Sequence, residues 1–343
     1  MTRLLAPRFR SAAFAVLATL SLSQAAAAQE VNLYTTREPG LMQPLMDSFT
    51  KSTGIMVNSI FIKDGLAERV AAEGLRSPAD VLMTVDIGAL FDLVEKGLTQ
   101  PVQSTVLEHA VPANLRGKAG EWFALSLRAR VLYVQKDLNL STFTYEQLGD
   151  PAWKGKICTR AGQHPYNTAL IAAYIAHHGE AKAETWLNGF KSGLARTATG
   201  GDRDGARDIM GGICDIAVAN SYYVGLMRSG AGGPEQEKWG AAIKVILPTF
   251  AGGGTHVNIS GASIAKSSPN RAAAVRFLEY LVSPEAQKIY AEANYEYPVT
   301  AGAMVHPIIA AMGTLKVDPI SLADVARHRT AASKLVDKVG FDR

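Results

Sequence analysis

The sequence predicts an α/β protein of two lobes, each a doubly wound, mostly parallel sheet, with extended hinge strands joining them. Short apolar runs alternate with amphipathic stretches in the manner of βαβ units. The alternation stops and restarts around one long extended passage at residues 122–135. The 343-residue chain also exceeds what one hydrophobic core usually organises.

Each element has its own signal. Residues 31–35 read as a strand; Leu41, Leu45 and Phe49 then recur at helical spacing until Gly54 ends the helix. A strand over 57–62, a helix over 66–75, a strand over 80–85 and a helix over 89–96 follow, with Gly97 placed to cap the last. Beyond the extended passage the scheme repeats, with a strand over 156–159, one long helix over 168–190, a strand over 213–219 and a helix from Tyr222 to Met227. Strands over 243–247 and 256–264 flank Gly252-Gly253-Gly254, where the chain returns to its first lobe. Helices over 271–282 and 284–293 meet at Ser283-Pro284, Ser283 serving as N-cap. The expected lobes are residues 29–127 with about 249–300, and about 128–248 with 301–343. Two such lobes make a hinged clamp whose natural binding site is the cleft between them.

Residues 1–28 read as an export signal, with Arg3, Arg8 and Arg10 ahead of an apolar run and Ala26-Ala27-Ala28 as the cleavage site. They hold three of the 35 Lys and Arg and none of the 31 Asp and Glu, so their removal lowers the formal charge from +4 to +1. No basic cluster survives in the remainder, which argues against nucleic acid and anionic membrane as partners. No later apolar run reaches the roughly 18 residues of a membrane span, so direct membrane insertion is not expected. The expected location is the periplasm, where the pair Cys158 and Cys214 would be oxidised.

Tyr222-Tyr223 is the most informative dipeptide. On a strand the two rings would point to opposite faces. Here they follow a strand and the turn Asn220-Ser221, with Ser221 as a plausible N-cap, and fall in a first helical turn. That position is the carboxyl end of a strand, where open α/β sheets bind ligands, and the positive end of a helix. Tyr166 sits at an equivalent junction after the strand at 156–159, and Arg37 after the strand at 31–35.

Phenols titrate near pH ~10 in water, so three phenolates at neutral pH need a strong local cation. Hard phenolate oxygens suit Fe3+, whereas zinc or copper would call for Cys or His. Three phenolates leave ferric iron short of ligands, and carbonate or bicarbonate would complete the shell, held by arginines matching its planar oxygens. Arg37, Arg128 and Arg130 are the candidates, one of the last two pointing elsewhere. Glu38 and Asn167 are further candidates.

The stretches VNLYTTREPGLMQPLMDSFTKSTGI, RSPADVLMTVDIGAL, WFALSLRARVLYV, WKGKICTR with HPYN, CDIAVANSYYVG and YPVTAGA resemble the tyrosine-rich group of bacterial ferric-binding periplasmic proteins, sometimes called bacterial transferrins. The likeness runs from about residue 30 almost to the C-terminus. It implies the two-lobed periplasmic-binding-protein fold, a non-enzymatic monomer with Fe3+ as cargo, ligation by Tyr166, Tyr222 and Tyr223, and an ABC transporter permease as partner. Many members carry a metal-binding His after the first strand; Arg37-Glu38-Pro39 stands there in this chain, making an added anion the expected substitute. Cys158 lies eight residues before Tyr166 and Cys214 eight before Tyr222, so on neighbouring strands the sulfurs would stand at similar heights.

Competing readings are weaker in the residues themselves. Tyr34, Tyr133, Tyr174, Tyr295 and Tyr297 read as packing. His177-His178 are adjacent on a helix and cannot face one ligand, His256 reads as a hydrogen-bonded structural residue, and His164 is a neighbour of Tyr166. Gly252-Gly253-Gly254 lacks the Gly-Lys-Ser/Thr of a phosphate loop. Ser263 and Lys266 match S-x-x-K without the following Lys-Thr-Gly, so a secreted hydrolase is disfavoured and no enzyme signature stands. The alternative within the binding class is capture of a small anionic solute, a phosphonate or sulfate, without metal.

Overall fold

The computed structural model describes Thr2 and residues 30–343, so the expected export signal falls, but for Thr2, outside the described residues. The chain opens with β1 (Glu30–Thr35), α1 (Pro39–Thr53), β2 (Met56–Phe61), α2 (Leu66–Glu73), β3 (Val81–Thr84), α3 (Ile87–Glu95), β4 (Thr99–Gln100) and α4 (Thr105–Ala110). After the long β5 (Phe123–Gln135) come β6 (Ile157–Cys158), α5 (Pro165–His178), α6 (Glu180–Gly193), α7 (Asp202–Met210), β7 (Ile216–Asn220), α8 (Tyr222–Arg228), α9 (Pro234–Ala241) and β8 (Ile243–Ile246). The chain then returns through β9 (Val257–Ala265), α10 (Arg271–Leu281), α11 (Pro284–Asn294) and β10 (Tyr297–Pro298), and ends in α12 (Pro307–Ala310), α13 (Leu322–Arg327) and α14 (Arg329–Val339).

Local chemistry sets these boundaries. Pro39 opens α1, its buried stripe is Met42, Leu45, Met46 and Phe49, and Gly54 closes it with φ 73°. Ser283 caps α11 by accepting from the Ala286 N–H. The single long helix expected over 168–190 is two helices, α5 and α6. Gly179 separates them with φ 81° and ψ 162°, a conformation that breaks the helix and that a residue with a Cβ would resist.

The strands form one curled mixed sheet in the order β2-β1-β3-β9-β5-β7-β6. Pairing is parallel where βαβ units lie, β1 with β2 and β3, and β6 with β7. It is antiparallel wherever β5 and β9 take part. β5 is shared: residues from Phe123 to Ala129 pair with β9, and from Arg130 onward the strand pairs with β7 and β8. The change of partner falls between Ala129 and Arg130 and joins two half-sheets, which is the expected extended crossing.

The alternation of β7 feeds two cores. Ala217 and Ala219 face one cluster, continuous with the first half-sheet, while Ile216 and Val218 face a second built on α5, α6 and α14. Cys158 and Cys214 are bonded, with their Cα atoms 5.9 Å apart. The equal-height expectation fails in detail: Cys158 is in register with Ala217, so Cys214 lies three residues earlier, in the turn before β7. The bridge therefore runs obliquely and ties that turn to β6. Its sequence separation of 56 corresponds to a stabilisation of ~4 kcal/mol in the chain-entropy model.

Candidate metal centre

Tyr166 enters the cleft from the first turn of α5. The preceding His164 caps that helix, its Nδ1 accepting from the Tyr166 N–H at 3.2 Å, and its ring stands edge-on to the Tyr166 ring at 4.6 Å. Burial, helped by the Arg160 charge, pulls His164 down to about 4, so the ring is neutral near pH 7 and its nitrogen lone pair is free to accept.

Tyr222 and Tyr223 open α8 with their ring centroids 4.0 Å apart. The expected Ser221 N-cap is not formed. Ser221 has helical φ and ψ, and its hydroxyl instead accepts from the Ala129 N–H at 3.1 Å while its own N–H donates to the Ala129 carbonyl at 2.9 Å. The tyrosine helix is thereby fastened to β5 at the point where the strand changes partner. Burial pushes the Tyr222 hydroxyl well above its ordinary range, with Tyr166 and Tyr223 adding to the effect and Arg128 opposing it. Tyr223 is raised for the same reason, with contributions from Tyr166 and Asp202. Tyr166 acts on both hydroxyls, which places it near the stacked pair. Among the described residues no group of three or more His, Cys, Asp or Glu could hold a metal ion.

The sequence left open which of Arg128 and Arg130 stands at the cluster, and their surroundings differ. Arg128 faces the cluster, its guanidinium 5.8 Å from the Tyr166 ring centre, while one terminal nitrogen donates to the carbonyls of Val85 and, at 2.6 Å, Ile259. Arg130 points away. Its guanidinium donates to Asp202 at 2.7 Å, to Asn220 at 3.1 Å and to Asn167 at 2.5 Å. Arg37 is 2% exposed and bonds both oxygens of Glu296, at 2.8 and 2.9 Å, and Ser260. Neither Arg37 nor Arg130 presents a free fork to the cleft, because each is neutralised by an internal carboxylate.

Asn167 is also occupied. Its amide nitrogen donates to Thr159 and to the carbonyls of Arg160 and Ala161, and its oxygen accepts from Arg130, so it shapes the loop before α5. Glu38 is exposed at the entrance to α1 and makes no capping bond. His256 is buried, but its Nε2 has no partner, so the expected side-chain hydrogen bonding is not made there, and burial takes the ring down to about 3.

Four residues belong to the site that sequence reasoning passed over. Arg160 lies over the Tyr166 ring at 4.9 Å and Arg203 over the Tyr223 ring at 5.5 Å. Asp202 holds Arg130 at 2.7 Å and Arg160 at 3.3 Å and accepts from the Asn220 N–H at 2.7 Å. Glu296 is the partner of Arg37. Arg160 follows a strand just as Tyr166 does, so the rule that found the tyrosine could have found it. Nothing in the local sequence marks Glu296, which lies 259 residues from Arg37.

Asp202 is the keystone of the second half-sheet. Its side chain is fully buried between two guanidiniums. Asp202→Ala strands the buried charge of Arg130 and is expected to cost about 3–5 kcal/mol of stability, read as a lower denaturant midpoint. A change below 1 kcal/mol would mean that the pair is already solvent-compensated.

Residues 76–311 match the family model described as bacterial extracellular solute-binding protein. The chain is 40% identical over 332 residues to iron uptake protein A2 of a Synechocystis strain, covering 95% of this chain and 94% of that protein. It is 28% identical over 344 residues to the major ferric iron-binding protein of Neisseria meningitidis serogroup B, covering 96% and 98%. Among solved structures it resembles a Bordetella ferric binding protein, at 63% identity and TM-score 0.89 over 92% of this chain and 100% of that one. A Trichodesmium protein in complex with iron and citrate ligands is 43% identical, with TM-score 0.87 over 91% and 99%.

Proposed function

We propose, for a chain that belongs to the bacterial extracellular solute-binding protein family, that it captures ferric iron in the periplasm and delivers it to an ABC transporter permease. The observation that carries this reading is the gathering of Tyr166, Tyr222 and Tyr223 at two helix starts, beside the guanidinium of Arg128. Three phenolates cancel the charge of Fe3+, and their hard oxygens match it. The names of the relatives, iron uptake and ferric iron-binding proteins, support the same cargo.

In this reading Tyr166, Tyr222 and Tyr223 bind the metal, and an oxygen-rich anion completes the shell. Carbonate or bicarbonate is the proposed anion, received first by Arg128, while Arg37 lies behind it and Arg130 acts from the supporting network. The citrate complex of the Trichodesmium relative supports carboxylates as the broader class. The two moving bodies are residues 29–127 with about 249–300 and about 128–248 with 301–343, and the protein acts as a monomer. The packing of α13 and α14 on α5 supports assigning the C-terminal segment to the second body.

The decisive experiment is an absorption spectrum of the metal-free protein titrated with Fe3+ in the presence and absence of bicarbonate. Phenolate-to-iron charge transfer is expected to give a visible band that strengthens with bicarbonate. A protein that stays colourless and fails to retain Fe3+ under both conditions overturns the reading. Tight calorimetric binding of phosphonate or sulfate in metal-free buffer would favour an anion carrier instead.

A further inference from the structure

Arg37 is paired with a buried carboxylate, Glu296, whose ionised form the charge of Arg128 also favours. Glu296 is 4% exposed, receives Arg37 on both oxygens at 2.8 and 2.9 Å, and accepts from the Ser126 hydroxyl. Burial works to protonate it, yet the charges of Arg37 and Arg128 prevail and hold it below the usual carboxylate range. Arg128 follows Ser126 by two residues on β5, on the same face as the hydroxyl that bonds Glu296, and its guanidinium is 5.8 Å from the Tyr166 ring centre. The other nearby carboxylate, Asp86, is engaged with the Asn258 amide at 2.7 Å and with the N-terminus of α3 at 3.1 Å. Arg37 and Arg128 each keep a buried Nε–H without a partner, so donor capacity remains at this node.

We propose that Glu296 is the specificity-determining residue for the anion that accompanies the metal: it places a fixed negative charge behind Arg37 and Arg128 and so sets how much charge that anion carries. This inference rests on the ferric reading above. Phenolates and Fe3+ together carry no net charge, so the anion is selected by what surrounds them. Arg37 and Arg128 bring two positive charges to the site and Glu296 removes one of them, over whatever Asp86, Asp202, Arg160 and Arg203 contribute, so the carboxylate shifts the balance toward a less charged anion. A doubly charged anion must also bear the repulsion of the Glu296 carboxylate, undamped by water in a buried site. A purely structural Glu296, needed only because buried Arg37 demands a counter-ion, would affect stability and leave anion choice alone.

The test uses the full mature protein loaded with Fe3+, with formate and oxalate as singly and doubly charged probes, and the charge-transfer band as readout. Glu296→Gln keeps the shape and removes the charge. It is expected to raise the oxalate-to-formate affinity ratio by at least about tenfold, since one charge several ångströms away in a partly buried site is worth that much or more. If that variant does not fold, Arg37→Gln removes a positive charge instead and is expected to move the ratio the opposite way by a similar factor. An unmoved ratio, or one moving against these signs, overturns the inference. A wild-type protein without a ferric band overturns the ferric reading itself, so the two failures are distinguishable.

Discussion

Changing Tyr166, Tyr222 and Tyr223 together to Phe is expected to abolish both Fe3+ retention and the visible band while leaving the fold intact. The substitution removes three hydroxyls and keeps every ring, so the packing of Tyr222 against Tyr223 at 4.0 Å and of His164 against Tyr166 at 4.6 Å survives. Burial already disfavours ionising Tyr222 and Tyr223, so nothing in the metal-free fold depends on their charge. Each single variant should lose more than the about 10–100-fold that changes behind a ligand typically cost. Competition against a chelator of known affinity measures the loss, and circular dichroism checks the fold. A triple variant that keeps the band would remove the phenols from the ligand set.

Affinity for Fe3+ is expected to weaken steeply as pH falls, by up to about 10³-fold per unit if all three phenols lose protons on binding. The sign follows from the shifts. Burial raises Tyr222 well above the ordinary phenol range and raises Tyr223 as well, so both are protonated in the metal-free protein near neutrality. Metal must displace those protons, and each one displaced adds one unit of slope to log K against pH. In the metal-free protein the same shifts stabilise the fold below the ordinary phenol value. That contribution is lost as pH rises above ~10, where the unfolded chain would ionise first. A slope near zero between pH 6 and 8, measured with an anion that does not titrate in that range, would contradict displacement of phenol protons.

The elements that sequence revealed are those whose signals are local. Apolar spacing and Gly54 fix α1, the Ser283-Pro284 pair fixes the start of α11, and the position after a strand end marks Tyr166 and Tyr222-Tyr223. What stayed hidden depends on tertiary neighbours. Gly179 sits inside a stretch of helical spacing and betrays the break between α5 and α6 only through its torsions. Ser221 has the composition of an N-cap, yet its hydroxyl goes to Ala129 because β5 runs alongside. Arg128 and Arg130 look interchangeable in sequence, and only the placement of Asp202, 72 residues after Arg130, separates their roles.

The two bonds between Ser221 and Ala129 give the clamp a mechanical property. Ala129 is the last residue of β5 to pair with β9, and Arg130 the first to pair with β7. Ladders on either side hold their registers, so relative rotation of the half-sheets must be absorbed by backbone torsions at that junction. Ser221 grips Ala129 through both its hydroxyl and its N–H and is followed directly by Tyr222 and Tyr223. The phenols therefore sit beside the junction at the end of β7, and a small rotation there would strain the Ser221–Ala129 bonds and move α8 relative to Arg128. In the proposed ferric reading, parting the lobes would then draw the phenols away from Arg128, and release of the cargo would need no separate trigger inside the site.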